Sequence, residues 1–378
     1  MEAEAEPTQA LPVSGALRLA AGLAELGARV GSEITTLVHE MQAASGSLSG
    51  ATTDLPTRAI YAAIGLGFEG AARLASLGGR IAPREPDGDA WLDVQSALNG
   101  VFGHLYARAG SAFALPMALH RSAPPAPSGR ALLFLHGLCM NERAWAAPAH
   151  RRFVVWARER LGAEVAYLRY NSGLRISANG ASLAQLLERE LPEREVILVG
   201  HSMGGLLALG ALHQALGQRL AWPRRVTHVA CLGTPHQGAS LERIGNHANR
   251  VLRVSRWSRP FMRLGDLRSD GIRDLRFGHV LEADWRGRPC DDPRRVPSGV
   301  RLAPHVAHLF VAASRSAPGE LDWVGDWLVS VESALARQLH REAAVRRERI
   351  HALDHLGLLA DERPYRVLRD WLERGDAV

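Results

Sequence analysis

The sequence predicts an α/β fold in which helices cover both faces of a mostly parallel central sheet. From about residue 111 onward, short apolar runs alternate with segments of helical periodicity. These runs are continuously apolar, as is typical of parallel strands that are buried on both faces. One run leads through a glycine-flanked turn at Ser202 into a helical pattern, so strand, turn and helix follow one another as this fold class requires.

The first part of the chain has a helical pattern instead. Apolar residues recur at spacings of three and four from Leu23 to Met41, and further helices are expected over 55–77 and 91–105. A stretch with two prolines and two glycines, Arg80 to Asp89, separates the second helix from the third. We expect residues 1–110 to form a helical N-terminal extension that packs on the body, or that makes a peripheral membrane contact or a homodimer.

The second part of the chain contains six expected strands. In order they are Ala131–Leu135, Val165–Leu168, Glu195–Val199, Val226–Leu232, Leu309–Ala312 and Arg349–His351. A helix around Phe153–Leu161 lies between the first two strands, and a C-terminal helix carries apolar residues from Tyr365 to Leu372. Strands separated by helices favour a parallel sheet, so we expect residues 111–378 to form one domain.

The segment between Leu232 and Leu309 is too long for a simple crossover connection. We predict an inserted cap at about 240–300, over the carboxyl edge of the sheet, where substrate caps usually lie. The apolar residues of this segment either line a substrate pocket or pack the cap against the body. The pocket candidates are Trp257, Phe261 and Met262.

The turn at Ser202 has the form G-x-S-x-G. It consists of Gly200-His201-Ser202-Met203-Gly204-Gly205 and joins the strand at 195–199 to the helical pattern from Leu206. In a nucleophile elbow of this form, the serine Oγ stands above the edge of a parallel sheet. The glycines are needed because the strained turn brings the strand and helix backbones close together. Ser202 is therefore the predicted nucleophile.

Acyl transfer by a serine also needs hydrogen-bond donors for the developing oxyanion. The amide of Met203 is one expected donor, because the residue after the elbow serine begins the helix. The amide of Leu138 is the other, since the His136-Gly137 pair ends a buried strand and allows a sharp turn. We expect His136 to brace this loop through hydrogen bonds, and His201 to point away from the oxyanion.

The acid and the base are expected after the serine, in the order serine, acid, histidine. Asp326, in the segment after the fifth expected strand, is the predicted acid, and Asp322 is the alternative. His355, beyond the last expected strand, is the predicted base. His351 is an alternative base, and His136 beside the oxyanion loop is another.

With these motifs the chain resembles the α/β-hydrolase superfamily, and within it the bacterial lipases and esterases close to the PGAP1-like group. The resemblance covers about residues 111–375. The matching segments are His136-Gly137-Leu138, Gly200-His201-Ser202-Met203-Gly204-Gly205, Leu232-Gly233-Thr234-Pro235-His236-Gln237-Gly238-Ala239, Asp326-Trp327-Leu328-Val329 and His355-Leu356-Gly357-Leu358-Leu359.

The resemblance implies an α/β-hydrolase fold and the hydrolysis of carboxylic esters, from a small molecule or a lipid, through an acyl-enzyme. An acyltransferase or thioesterase with the same triad is one alternative, and a non-catalytic membrane or scaffold module is another. In such lipases the acid opens a D-G-L-V segment, and here Trp327 stands in place of that glycine. Some of these lipases bind calcium through an aspartate at the position that is Gly357 here, so we expect no metal at that position.

The composition excludes several other chemistries. All 45 basic residues are arginine, so Schiff-base chemistry, a Walker lysine and a Ser-Lys dyad are excluded. The three cysteines are scattered and form no C-x-x-C pair, so we expect no metal and no cofactor. Arginines outnumber acids between Leu241 and Arg301, but no nucleic-acid recognition motif accompanies them, and we expect no nucleic-acid partner.

The first residues, Met1 to Pro7, are acidic and lack the basic start and apolar core of a signal peptide. The sequence also lacks an uncharged apolar run of the length that a spanning helix requires. We therefore expect a cytoplasmic protein, with membrane association left open.

Overall fold

In the part of the chain that the computed structural model describes, seven strands form one sheet. They are β1 (Ala118–Arg121), β2 (Arg130–Leu135), β3 (Glu164–Arg169), β4 (Glu195–His201), β5 (Val226–Leu232), β6 (Ala307–Ser314) and β7 (Val345–His351). Their order across the sheet is β1-β3-β2-β4-β5-β6-β7. Strand β1 is antiparallel to β3, and every other neighbouring pair is parallel.

The described residues are Ala24, Ala28, 89–122, 129–191, 193–239, 269–288, 298–320, 325–339 and 344–374. The helices predicted over 23–41 and 55–77 therefore lie outside the described residues, apart from Ala24 and Ala28, which are helical. The pocket candidates Trp257, Phe261 and Met262 also lie outside them.

Helices separate most of the strands. They are α1 (Asp89–Arg108), α2 (Pro148–Leu161), α3 (Ile176–Glu190), α4 (Met203–Gly217), α5 (Asp270–Phe277), α6 (Glu282–Trp285), α7 (Val331–Ala334), α8 (Gly357–Ala360) and α9 (Glu362–Arg374). Single 3₁₀ turns occupy Glu142–Trp145 and Trp222–Arg225. The predicted helices around 91–105 and 153–161 are confirmed as α1 and α2.

Side chains of successive strand residues point to opposite faces of the sheet, because a β-strand has a period of two residues. In β2, Leu133 and Leu135 pack in the cluster that contains α3 and α4. Leu132 and Phe134 pack in the cluster that contains α2 and α9. The predicted fold class is thereby confirmed, since helices cover both faces of a mostly parallel sheet.

All six predicted strands are present, and β1 is an addition. Its four residues are only half-buried or exposed, and its sequence Ala-Leu-His-Arg is not continuously apolar. An edge strand of this kind gains fewer apolar contacts than a central one, so its sequence is freer to be polar. Its pairing with β3 begins at Ala118 opposite Arg169.

The chain divides into two compact units that do not follow the predicted boundary near residue 110. One unit comprises 1–95 with 105–114, and the other comprises 96–104 with 115–378. The central turns of α1 thus belong to the unit that contains the sheet. The division into an extension of 1–110 and a domain of 111–378 stays a prediction.

The described part of the predicted cap, between β5 and β6, is anchored at the start of α3. Asp274 of α5 is fully buried, and its Oδ2 accepts the Ile176 N–H at 2.8 Å. Its Oδ1 accepts from Nη1 of Arg175 at 2.6 Å. A carboxylate at a helix N-terminus is stabilised by the unpaired N–H groups there, so Asp274 fixes this part of the insertion in place.

Among the helices of the described ranges, none combines the length and apolarity needed to cross a membrane.

Candidate active site

Ser202 lies at the point where β4 ends and α4 begins, in a strained backbone conformation. Its φ is 54° and its ψ is −120°, which is uncommon for a residue with a side chain. Its N–H donates to the Leu232 carbonyl at 2.9 Å, so the turn is tied to the end of β5. A Cβ at Gly204 would lie 2.7 Å from the His136 carbonyl oxygen, and closer still to that of Leu135. Glycine is therefore required at 204 for α4 to start this close to β2.

His355 lies beyond β7 and is paired with Asp326. Nδ1 of His355 lies 2.7 Å from Oδ2 of Asp326, and both side chains are buried. The other carboxylate oxygen accepts the backbone N–H groups of Leu328 at 2.9 Å and Val329 at 2.7 Å. Because Asp326 is held by its own turn, its carboxylate can fix both the orientation and the tautomer of His355.

Several short contacts place His355 beside the turn that carries Ser202. A Cβ at Gly233, which follows the Leu232 bonded to the Ser202 amide, would lie 3.2 Å from both Nδ1 and Cε1 of His355. Nε2 of His201 lies 3.1 Å from the His355 carbonyl oxygen, and the two rings are 4.7 Å apart. The serine and the Asp–His pair therefore share one region, at the carboxyl ends of β4 to β7.

The loop after β2 approaches Ser202 from the other side. A Cβ at Gly137 would lie 3.2 Å from Cβ of Ser202, so the Gly137 backbone passes close to the serine. Leu138, whose amide is a predicted oxyanion donor, is the next residue and is buried. Met203, the other predicted donor, is the first residue of α4 and is also buried.

His136 has its own partners in this loop. Its Nδ1 lies 2.8 Å from the Gly137 carbonyl oxygen, and its ring stacks on Tyr170. Complete burial lowers the pKa of His136 to about 4, so the ring is neutral at pH 7. The carboxylate of Asp326 faces His355 instead.

The remaining alternatives lie elsewhere. Nδ1 of His351 lies 3.2 Å from the Ser316 carbonyl oxygen. Asp322 lies outside the described residues.

Trp327, the departure from the D-G-L-V pattern, adopts the backbone conformation that favours glycine. Its φ is +84°, and 47% of its surface is exposed. Its ring lies under the Arg315 guanidinium, 4.7 Å from the centroid. The turn is nevertheless closed, because Asp326 accepts the N–H groups of the two residues that follow Trp327.

Two residues that sequence reasoning missed also contact the oxyanion loop. Tyr170 donates from its hydroxyl to the His136 carbonyl at 2.8 Å. Ser172 accepts the Cys139 N–H at 3.0 Å. The signal was available, since both belong to a polar run that directly follows a parallel strand, where site residues collect.

Within the described ranges, no three side chains of histidine, cysteine, aspartate or glutamate are grouped closely enough to hold a metal ion.

Comparison with known proteins agrees with these motifs. Residues 126–285 match the family model of the PGAP1-like alpha/beta domain, which confirms the resemblance to that group. No curated protein sequence matches the chain.

Among solved structures, the chain is similar to the mature Bacillus licheniformis lipase BlEst2, with 20% identity and a TM-score of 0.44, over 68% of this chain and 98% of that one. It is similar to a thermophilic esterase from Thermogutta terrifontis, with 18% identity and a TM-score of 0.41, over 69% and 94%. It is also similar to YbtT, a type II thioesterase from a yersiniabactin biosynthetic pathway, with 17% identity and a TM-score of 0.41, over 68% and 97%.

Proposed function

We propose that this chain is a serine hydrolase that cleaves carboxylic esters through an acyl-enzyme intermediate. One observation carries the proposal. A buried Asp326–His355 pair, with 2.7 Å between Oδ2 and Nδ1, lies beside a serine in a strained elbow. These are the parts that nucleophilic catalysis by serine requires, namely a nucleophile, a base and a group that orients the base.

In the proposed first step, Oγ of Ser202 attacks the ester carbonyl carbon, and Nε2 of His355 takes the hydroxyl proton. Asp326 holds the proton on Nδ1 and stabilises the imidazolium that forms. His355 then gives its proton to the departing alcohol oxygen as the carbon–oxygen bond breaks. In the second step, water loses a proton to His355 and attacks the acyl-enzyme, which releases the acid and restores the Ser202 hydroxyl.

The negative charge of each tetrahedral intermediate falls on the former carbonyl oxygen. The backbone N–H groups of Leu138 and Met203 are the proposed donors to it. The positive end of the α4 dipole reinforces the second donor, because Met203 begins that helix. Each donor of this type contributes about 3–4 kcal/mol to transition-state stabilisation in comparable sites.

The burial of the three side chains supports this assignment. Exposure is 1% for Ser202, 0% for Asp326 and 4% for His355. Charges interact more strongly where water is excluded, so an Asp–imidazolium pair and an oxyanion bound by amides are both more effective here than at a surface.

The proposal is tested by labelling with a fluorophosphonate, which reacts only with an activated serine. Wild type, Ser202→Ala and a matched control, Ser177→Ala, are compared, and the labelled peptide is identified by mass spectrometry. Ser177 belongs to α3 and accepts a hydrogen bond from Trp285. We expect wild type and the control to label at Ser202, and Ser202→Ala to stay unlabelled.

Hydrolysis of p-nitrophenyl esters, from acetate to palmitate, is measured on the same three proteins. Turnover that disappears only in Ser202→Ala supports the proposal, and the preferred chain length separates an esterase from a lipase. Folded wild-type protein that neither labels nor hydrolyses any ester, or Ser202→Ala that keeps its turnover, would overturn it.

A further inference from the structure

Three consecutive peptide units of the loop after β2 are each held by one side chain. These are the units His136–Gly137, Gly137–Leu138 and Leu138–Cys139, which we term the oxyanion loop. The middle unit carries the Leu138 N–H that the proposed mechanism uses.

The first unit is held by Tyr170. The Tyr170 hydroxyl donates to the His136 carbonyl oxygen at 2.8 Å, and its ring stacks on the His136 ring with 4.2 Å between centroids. Tyr170 is fully buried, and burial raises the pKa of its phenol well above the ordinary value. The hydroxyl therefore stays protonated and remains a donor throughout the neutral range.

The middle unit is held by His136. Its Nδ1 lies 2.8 Å from the Gly137 carbonyl oxygen, and an oxygen acceptor requires the proton on Nδ1. A trans peptide is planar and its C=O and N–H point in opposite directions. The bond to the Gly137 carbonyl thereby fixes the direction of the Leu138 N–H.

The third unit is held by Ser172. Its Oγ accepts the Cys139 N–H at 3.0 Å. Cys139 has a φ of +64°, a strained conformation that persists only where neighbours hold it. Helix α1 lies behind it, since a Cβ at Gly100 would come within 2.8 Å of the Cys139 Cα.

From this arrangement we infer that Tyr170 and Ser172 are positioning residues for the proposed acyl transfer. They hold the units on either side of the one that carries the Leu138 amide, so that this donor points to the oxyanion before the substrate binds. The inference rests on the proposed function. Preorganised donors stabilise a transition state because they need no reorientation during the reaction.

The expected effect is on the chemical step. Losing an oxyanion donor altogether costs about 100- to 1000-fold in kcat. Tyr170→Phe keeps the ring stacked on His136 and removes only the hydroxyl, and Ser172→Ala removes only the acceptor, so each loosens the donor without deleting it. We expect kcat to fall about tenfold in each variant, between no effect and the loss of a donor. We expect KM to change less than twofold.

The chain offers a matched control for each substitution. Tyr167, on β3, has its hydroxyl 2.9 Å from Nε2 of His150, away from the oxyanion loop. Ser177 accepts the Trp285 indole N–H at 3.1 Å. Tyr167→Phe and Ser177→Ala therefore remove comparable hydrogen bonds from the same compact unit and should leave kcat unchanged.

The experiment measures kcat and KM on a p-nitrophenyl ester, the second-order rate of fluorophosphonate labelling, the pH–rate profile and the Tm for all four variants. For Tyr170→Phe and Ser172→Ala we expect slower turnover and slower labelling, with the midpoint of the pH profile unchanged because the His355–Asp326 pair is untouched. The double variant should lose less than the product of the single effects, since both residues hold one loop.

Equal kcat in Tyr170→Phe and Tyr167→Phe, and in Ser172→Ala and Ser177→Ala, would overturn the inference while the proposed function stands. A rise in KM at constant kcat would also overturn it. Wild-type protein that neither labels nor turns over would refute both.

Discussion

Asp326 and His355 are joined twice, once through their side chains and once through their backbones. Oδ2 of Asp326 lies 2.7 Å from Nδ1 of His355, and the His355 N–H donates to the Asp326 carbonyl oxygen at 3.1 Å. The backbone bond fixes the distance between the two residues, and the side-chain bond fixes the ring. The imidazole is therefore positioned before any substrate arrives.

Asp326→Asn should abolish most of the activity while leaving the fold intact. The side-chain oxygen of the variant can still accept the N–H groups of Leu328 and Val329, but its amide nitrogen would donate to Nδ1 of His355 and so favour the wrong tautomer. The corresponding change in a serine protease lowers kcat about 10⁴-fold, and we expect a loss of at least about 10³-fold here.

Steady-state kinetics and the Tm check this prediction. The expected result is a large fall in kcat with a Tm close to that of wild type. A variant that keeps more than a tenth of the wild-type kcat would show that Asp326 does not orient the base.

At position 327, glycine should be tolerated better than alanine. Trp327→Gly and Trp327→Ala both remove the ring over which Arg315 lies, so they differ mainly in the cost of a φ of +84°. A residue with a Cβ pays about 1 kcal/mol or more for this conformation, and glycine pays almost nothing. Urea unfolding should find the Gly variant more stable than the Ala variant by about 1 kcal/mol.

Val155 provides the control for this comparison, because it is exposed in the interior of α2. There the order should reverse, since glycine is about 1 kcal/mol less favourable than alanine in a helix. The same order at both positions would mean that the backbone conformation at 327 is not the cause.

Two glycines of α4 should respond oppositely to alanine. At Gly204 a methyl group would lie 2.7 Å from the His136 carbonyl oxygen, and backbone atoms cannot move aside easily. At Gly217, at the other end of the helix, nothing lies within 4 Å of the added atom.

Gly204→Ala should therefore lower the free energy of unfolding by about 1–3 kcal/mol and suppress labelling of Ser202. Gly217→Ala should be neutral or stabilising by up to about 1 kcal/mol. Thermal denaturation and labelling of both variants check this pair, and a stable, fully reactive Gly204→Ala protein would contradict the close approach of α4 and β2.

Acidification should destabilise the protein partly through His236. Burial, and the nearby Arg347 and His308, lower the pKa of His236 to about 3. In the unfolded chain the imidazole binds a proton below its ordinary pKa of about 6.5. Between these two values the unfolded state binds more protons than the folded state, so stability falls as the pH falls.

His236→Asn removes this contribution. We compare the free energy of unfolding, from urea titrations at pH 7 and pH 4.5, in wild type and variant. The loss between the two pH values should be smaller in the variant by about 2 kcal/mol. An equal loss in both proteins would mean that His236 can be protonated in the folded state.

Most of the sheet could be predicted from the sequence because its central strands are buried on both faces. Such strands must be continuously apolar, and β2 and β5 stand out for that reason. Strand β1 could not be recognised in this way, because a half-buried edge strand is under no such constraint. Its position depends on pairing with β3, which is a long-range property.

The candidate site was predictable to the extent that its geometry is local. The turn at Ser202 is specified by glycines next to it in the chain. The contact between Tyr170 and His136 joins residues 34 positions apart, and the sequence gives no sign of which carbonyl a tyrosine hydroxyl will reach. The substitution at Trp327 was visible in the sequence, whereas the positive φ that it must adopt was visible only in the structure.

The central claim is that Ser202 carries the acyl group during turnover, and trapping that intermediate tests it most directly. A p-nitrophenyl ester whose acyl-enzyme hydrolyses slowly is mixed with the protein, the reaction is quenched in acid, and intact mass and peptide mapping locate the acyl group. We predict one acyl group per chain on Ser202, with a matching burst of p-nitrophenol, and none in Ser202→Ala. Steady hydrolysis without an acylated Ser202, or with the acyl group on another residue, would contradict the account.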